Sequence, residues 1–225
     1  MIYKNLEIKW LGHSGFKIKN KNINIYIDPF RLSNHVGEGD KADIIFITHS
    51  HYDHCCIEDI QKIAKNNTII VCTPDCQSKF RHITQNIKIV TAEPEAKGEF
   101  PDFGIKYWTV RAYNINKNYH PREEDWVGYI IDFSGVLFYH AGDTDLISEM
   151  NTLKAIGVDV AFLPIGGTYT MNAGEAAKAA ALIKPKLALP MHYLAIEGTG
   201  NKDDAEVFYR FCSEAGIEAK ILEKS

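Results

Sequence analysis

The stretch Asp43-Ile44-Ile45-Phe46-Ile47-Thr48-His49-Ser50-His51-Tyr52-Asp53-His54 decides how this chain is read. Its first half is a short apolar run of strand length. Its second half sets three histidines and an aspartate in the spacing H-x-H-x-D-H. Neutral imidazole and carboxylate are the ligands that borderline divalent metals such as Zn²⁺ favour. If the chain is still extended where it leaves the strand, His49 and His51 point to one face. Asp53 and His54 follow after the chain turns, and they approach a second point nearby. One short loop can then serve two metals. The competing reading is a polar loop with incidental histidines.

The rest of the composition sets bounds around that motif. The chain has 225 residues, enough for one domain over 1–225 with a sizeable core. Its 45% hydrophobic and 24% charged content is that of an ordinary soluble globular protein. The net charge of −4 comes without long like-charge blocks, which argues against a nucleic-acid partner. A small anionic substrate is not excluded, because a metal brings its own positive charge. No apolar stretch reaches membrane-spanning length, and Met1 to Glu7 reads as the start of a strand rather than a signal peptide. The expectation is a cytoplasmic protein with a small-molecule substrate and no membrane partner; a homo-oligomer stays open. Cys55, Cys56, Cys72, Cys76 and Cys212 fit no zinc-finger spacing and read as free, mostly buried thiols.

Periodicity supplies the framework. Strand-like runs cover Leu6 to Trp10, Phe16 to Lys19, Ile23 to Asp28 and Thr68 to Cys72, with a helix from Ile57 to Ala64. The middle adds strands at Ile87 to Thr91, Ile105 to Tyr113, Val127 to Phe133 and Val136 to Tyr139. Ser134-Gly135 is the tight turn between the last two. Helices are expected over Leu146 to Ile156, Ala173 to Ile183 and Asp204 to Ala215. Strands alternate with them at Val158 to Leu163, Lys186 to Leu189 and Ile217 to Leu222. Two sheets packed face to face with helices outside account for both halves.

Four further polar clusters lie at strand ends: Gly12-His13-Ser14-Gly15, Arg111-Ala112-Tyr113-Asn114 with His120-Pro121, His140-Ala141-Gly142-Asp143-Thr144-Asp145, and Pro190-Met191-His192-Tyr193. The order H-x-H-x-D-H, then Gly-Asp-Thr, then a late histidine after a strand resembles the metallo-β-lactamase superfamily of hydrolases. The runs at Gly12 to Phe16, Tyr139 to Thr144, Leu163 to Met171 and Pro190 to Tyr193 resemble its ascorbate-6-phosphate lactonase-like branch. The likeness runs from about Leu6 to about Tyr193.

The resemblance implies an α/β fold, an αββα four-layer sandwich with two mixed sheets and a two-metal centre. It implies His49 and His51 on the first metal, Asp53, His54 and His192 on the second, and Asp143 bridging both. The family's third histidine for the first metal falls near Asn114. His120 is the substitute if the loop folds back; otherwise Asn114, a water or the substrate completes the shell. The ions expected are two divalent metals, Zn²⁺ first and Mn²⁺ second.

Single residues carry bland alternatives. Asp143 could instead cap a helix near Leu146. His13 is a pocket acid or a turn residue. His140 supports the site or fills core or surface. His35 and His82 read as surface or loop residues, and Tyr169 and Met171 as pocket wall or loop packing. The turn Gly166-Gly167-Thr168 offers backbone N–H groups to an anion.

The expected function is hydrolysis of a small ester, lactone or phosphodiester. A bridging water, its pKa lowered towards roughly 7, attacks with Asp53, Asp143 and His13 as the catalytic groups. The alternative is a non-hydrolytic metal-binding or redox protein on the same scaffold.

Overall fold

The computed structural model describes residues 1–33 and 36–225, so His35 lies outside the described residues. The chain divides into two compact units, Met1–Glu93 with Glu223–Ser225, and Pro94–Leu222.

The first unit is built on a seven-stranded mixed sheet whose spatial order follows the sequence: β1 (Ile2–Tyr3), β2 (Leu6–Gly12), β3 (Gly15–Asn20), β4 (Ile23–Ile27), β5 (Ile44–Ile47), β6 (Ile69–Cys72) and β7 (Lys88–Thr91). β1 to β4 run antiparallel. The two-residue turn at Lys21-Asn22 needs left-handed backbone, and Lys21 takes it at φ +52°. From β4 to β7 the pairing is parallel, which requires crossovers. Helix α1 (Ile57–Ile63) supplies the one between β5 and β6. β5 reads Ile-Ile-Phe-Ile and is buried throughout, as a strand covered on both faces must be. Ile60 and Ile63 of α1 join Ile45, Ile47, Ile70 and Cys72 in one apolar cluster. The nine-residue 3-10 run Pro74–His82 after β6 was not legible in the periodicity.

The second unit carries a six-stranded mixed sheet: β8 (Lys97–Phe100), β9 (Ile105–Arg111), β10 (Val127–Phe133), β11 (Val136–His140), β12 (Val160–Pro164) and β13 (Leu187–Met191). The hairpin at Ser134-Gly135 forms as expected, with φ of +56° and +75° at the two turn residues. β11, β12 and β13 are parallel. Three helices complete the unit: α2 (Leu153–Ile156), α3 (Ala173–Ile183) and α4 (Lys202–Glu214). Capping boxes start the two long ones: Asn172 with Glu175 on α3, and Asn201 with Asp204 on α4. α3 stops at Lys184, in left-handed backbone before Pro185.

Two expectations fail here. The segment Leu146 to Ile156 is not one helix but a 3-10 run, Ser148–Thr152, followed by the single turn α2. Its buried residues Ile147, Met150 and Leu153 recur every third position, which is the 3-10 period. Ile217 to Leu222 is not a strand. Only Ala219 bridges, to Ala188, and from Glu223 the chain belongs to the first unit, where Lys224 bridges Trp10.

Candidate functional site

In the first unit the ligand candidates gather at the C-terminal ends of β4 and β5. The β2–β3 hairpin turns at His13-Ser14, with His13 in left-handed backbone at φ +53°. Trp10 Nε1 donates to the His13 carbonyl at 2.8 Å and pins the turn. The imidazole is buried, and its Nε2 lies 2.9 Å from Asp53 Oδ2. His49 Nε2 and His51 Nδ1 face each other at 3.1 Å, so the pair does share a face. His54 Nε2 lies 3.7 Å from Asp53 Oδ2. His13, His49, His51, Asp53 and His54 are thus brought together.

The residue that arranges this loop is Asp28, fully buried at the end of β4. Its Oδ1 accepts from the Thr48 N–H at 2.9 Å, and its Oδ2 accepts from the Thr48 hydroxyl at 2.6 Å. His54 Nδ1 approaches the same Oδ2 at 2.7 Å. A carboxylate on Nδ1 fixes the tautomer and leaves Nε2 for another role. Thr48 Oγ1 also lies 2.9 Å from His49 Nδ1, so one carboxylate orients two imidazoles, one of them through a hydroxyl. Sequence reasoning gave Asp28 no role. The available signal was its place at the end of the strand parallel to the one bearing the motif. Lys79, from the 3-10 run, donates to the Ser50 carbonyl between His49 and His51 and was also missed.

In the second unit the candidates sit after β11 and β13 and on the loop after β9. Asp143 Oδ2 lies 2.9 Å from His192 Nε2 and 3.2 Å from His120 Nε2, and all three residues are buried. The helix-cap reading of Asp143 fails, because no helix starts there and its neighbours are imidazoles. The loop 114–120 folds back on itself: the Asn114 N–H donates to the His120 carbonyl at 2.7 Å, and the His120 N–H donates to Asn114 Oδ1 at 3.0 Å. Asn114 Oδ1 also lies 3.1 Å from His120 Nδ1, while its Nδ2 donates to the Tyr169 carbonyl at 2.9 Å. Asn114 therefore stands behind His120 and aims it at Asp143.

The anion turn at Gly166-Gly167-Thr168 is overturned. The Gly167 N–H donates to Met171 O and the Thr168 N–H to Gly166 O, both at 3.0 Å. What the segment provides is space. A Cβ on Gly166 would lie 2.7 Å from His192 Nδ1 and 2.9 Å from the His192 carbonyl oxygen. His192 itself sits in left-handed backbone at φ +60°. Burial, with Glu206 adding to it, pushes the neighbouring Tyr193 phenol up to about 12.

The remaining residues lie as follows. His140 is buried, its Nδ1 accepting from the Gly142 N–H at 3.3 Å. His82 is exposed, Met171 is core, and Tyr169 meets Tyr119 edge-to-face at 4.7 Å. All five cysteines are free thiols. Contact with Cys76, and then burial, pushes the Cys55 and Cys72 thiols upward, away from the thiolate form a metal needs.

Residues 7–192 match the family described as "Beta-lactamase superfamily domain". The chain belongs to the β-lactamase superfamily. Within it, the chain is 36% identical over 195 residues to a UPF0173 metal-dependent hydrolase of Thermococcus onnurineus, covering 84% of each. A metal-dependent hydrolase structure from Parabacteroides distasonis superposes with a TM-score of 0.82 at 32% identity, covering 98% of this chain and 94% of that one. Igni18, a metallo hydrolase of Ignicoccus hospitalis, gives 0.79 at 26% identity, covering 98% and 96%. The chain thus stands among the metal-dependent hydrolases of the β-lactamase superfamily, and the fold expected from its motifs is the fold found.

The donors of this superfamily member suit a divalent ion. Two nitrogens on one tetrahedral Zn²⁺, with bonds of about 2.0–2.1 Å, stand about 3.3 Å apart. His49 Nε2 and His51 Nδ1 already stand 3.1 Å apart. Asp28, Thr48 and Asn114 supply the outer contacts that metal-binding imidazoles need.

Proposed function

We propose that the chain is a dinuclear metal-dependent hydrolase of small esters, lactones or phosphodiesters. The observation that carries this reading is the convergence of His120 Nε2 and His192 Nε2 on one oxygen of Asp143, each ring buried. Such a carboxylate has little to do in an apolar core and much to do beside a cation.

By the family order, His49, His51 and His120 would hold one ion, Asp53, His54 and His192 the other, and Asp143 would be a further ligand. Zn²⁺ suits the imidazole-rich set best, and Mn²⁺ is the alternative. When bound, the ions supply Lewis acidity: they polarise a carbonyl or phosphoryl oxygen and bring a water's pKa towards neutrality.

The chain's own residues do the rest. Asp53 accepts the proton of the attacking water. His13, with Nε2 2.9 Å from that carboxylate, passes it to the leaving oxygen. Asp28 keeps His54 in the required tautomer, and Asn114 does the same for His120.

Elemental analysis of the purified protein, joined to assays on matched lactones, esters and phosphodiesters, tests the proposal. About two equivalents of metal and chelator-sensitive turnover of one class support it. One equivalent, or turnover indifferent to chelation, refutes it.

A further inference from the structure

A second feature lies within the first unit, on strands β2, β3 and β4. Lys9 pairs with Lys17 across β2 and β3, and Lys17 pairs with Tyr26 across β3 and β4, so the three share one sheet face. Like charges directly opposite one another destabilise a sheet. Lys17 is also buried, at 3% exposure, and burial lowers its pKa. Its carboxylate partner Asp40 is shared with Lys19, at 3.8 Å, and Lys9 has Glu7 at 3.5 Å.

Beside this row is a cavity of about 390 Å³. Four cations line it, Lys9, Lys17, Arg31 and Lys224, against the single carboxylate side chain of Asp40. Leu11, Leu32, Val36 and Ile63 form an apolar wall. Lys224 reaches it by lying over Gly12, where a Cβ would meet its Cδ and Cε at 3.1 Å. Among the described residues, no carboxylate is paired with Lys224. An excess of cations beside an apolar wall, in a space of small-molecule size, matches a ligand with a charged head and a compact apolar body.

We propose that this cavity binds a small organic anion, its carboxylate or phosphate-like head on Lys17 and Lys224 and its apolar body on Leu11 and Ile63. The site is separate from the metal ligands, none of which lines it.

Calorimetric titration of the metal-loaded protein at low ionic strength tests this, with phenylphosphonate and benzoate as the two kinds of head. At least one should bind saturably at one equivalent, weaken with added salt, and outcompete inorganic phosphate. Whichever binds more tightly identifies the head. Benzyl alcohol, the neutral counterpart, should not saturate. Lys224→Met, at an exposed position, should weaken binding about tenfold, as loss of a charged hydrogen bond does. Lys17→Met should do at least as much if it folds. His49→Ala should leave the affinity unchanged. No saturation by either anion, an unaltered affinity in Lys224→Met, or loss of binding in His49→Ala would each overturn the proposal.

Discussion

Replacing Gly166 by alanine isolates one physical variable beside His192, a proposed ligand. The residue is not in left-handed backbone, so a side chain brings no backbone strain there. The added Cβ would lie 2.7 Å from His192 Nδ1, whereas ordinary contact begins at 3.4 Å. The imidazole or the loop must therefore yield by 3.4 − 2.7 = 0.7 Å. Metal–ligand bonds tolerate about 0.2 Å. His192 Nε2, now 2.9 Å from Asp143 Oδ2, is carried out of that tolerance. We expect metal affinity to fall by about ten- to a hundredfold, the scale seen when imidazole orientation is lost. Overpacking costs about 1–3 kcal/mol, offset by about 0.4–1 kcal/mol from the stiffer unfolded chain. The metal-free fold should therefore lose between nothing and about 2.6 kcal/mol. The assay is competition with a coloured chelator, read beside the melting temperature of the chelated protein. Gly39→Ala, where no atom lies within 4 Å, is the control. If Gly166→Ala binds metal and turns over like the parent, His192 is not a ligand held by that gap, and the reasoning fails.

Four further outcomes follow from the same geometry. Asp143→Asn should lower turnover about a hundredfold or more while the chain stays folded, measured by kinetics beside circular dichroism; near-parental turnover would remove Asp143 from the centre. His120→Ala should lose metal and regain part of its activity in excess metal, whereas Asn114→Ala should only weaken binding by about tenfold, both read by elemental analysis. Chelation should lower the melting temperature, since removing a ligand held at a hundred times its Kd costs about 2.7 kcal/mol; an unchanged melt counts against metal binding. Lys17 holds the Asp40 carboxyl below its ordinary value of 3.8, so the stability it contributes is complete above that pH and is lost as the pH falls through the lower folded value. Asp40→Asn should therefore give a flatter loss of melting temperature below pH 3.8 than the parent, and parallel curves would deny the pairing.

Most strands were legible because their cores are β-branched and aromatic and their turns carry distinct residues; Lys97–Phe100, with a glycine and two charges in four residues, was not. β10 and β11 with Ser134-Gly135, and α3 with its Asn172 cap, follow directly from pattern. The histidine motif was legible because its spacing is rare and local. What stayed hidden depends on contacts distant in sequence. Asp28 meets Thr48 and His54, 20 and 26 residues away, and nothing near Asp28 announces it. The glycine pair Gly166-Gly167 suits an anion turn by its sequence alone. Only His192, packed against it, reveals why a side chain is excluded. The 3-10 run at Ser148–Thr152 shows a third limit: apolar residues at 147, 150 and 153 fit either helical period over so short a span. The loop 114–120 likewise gave no sign of its direction, and the Asn114 amide that closes it is a contact of shape rather than of pattern.

The Ser134-Gly135 turn also offers a practical handle. It opens β11 at the end opposite His140, about 13 Å of extended chain away. A Cβ placed on Gly135 would meet nothing within 4 Å. Exposed tips of this kind accept insertions with little effect on the elements they join. A spin label or short fluorescent tag attached there would leave both β10 and β11, and the Asp143 loop beyond His140, undisturbed.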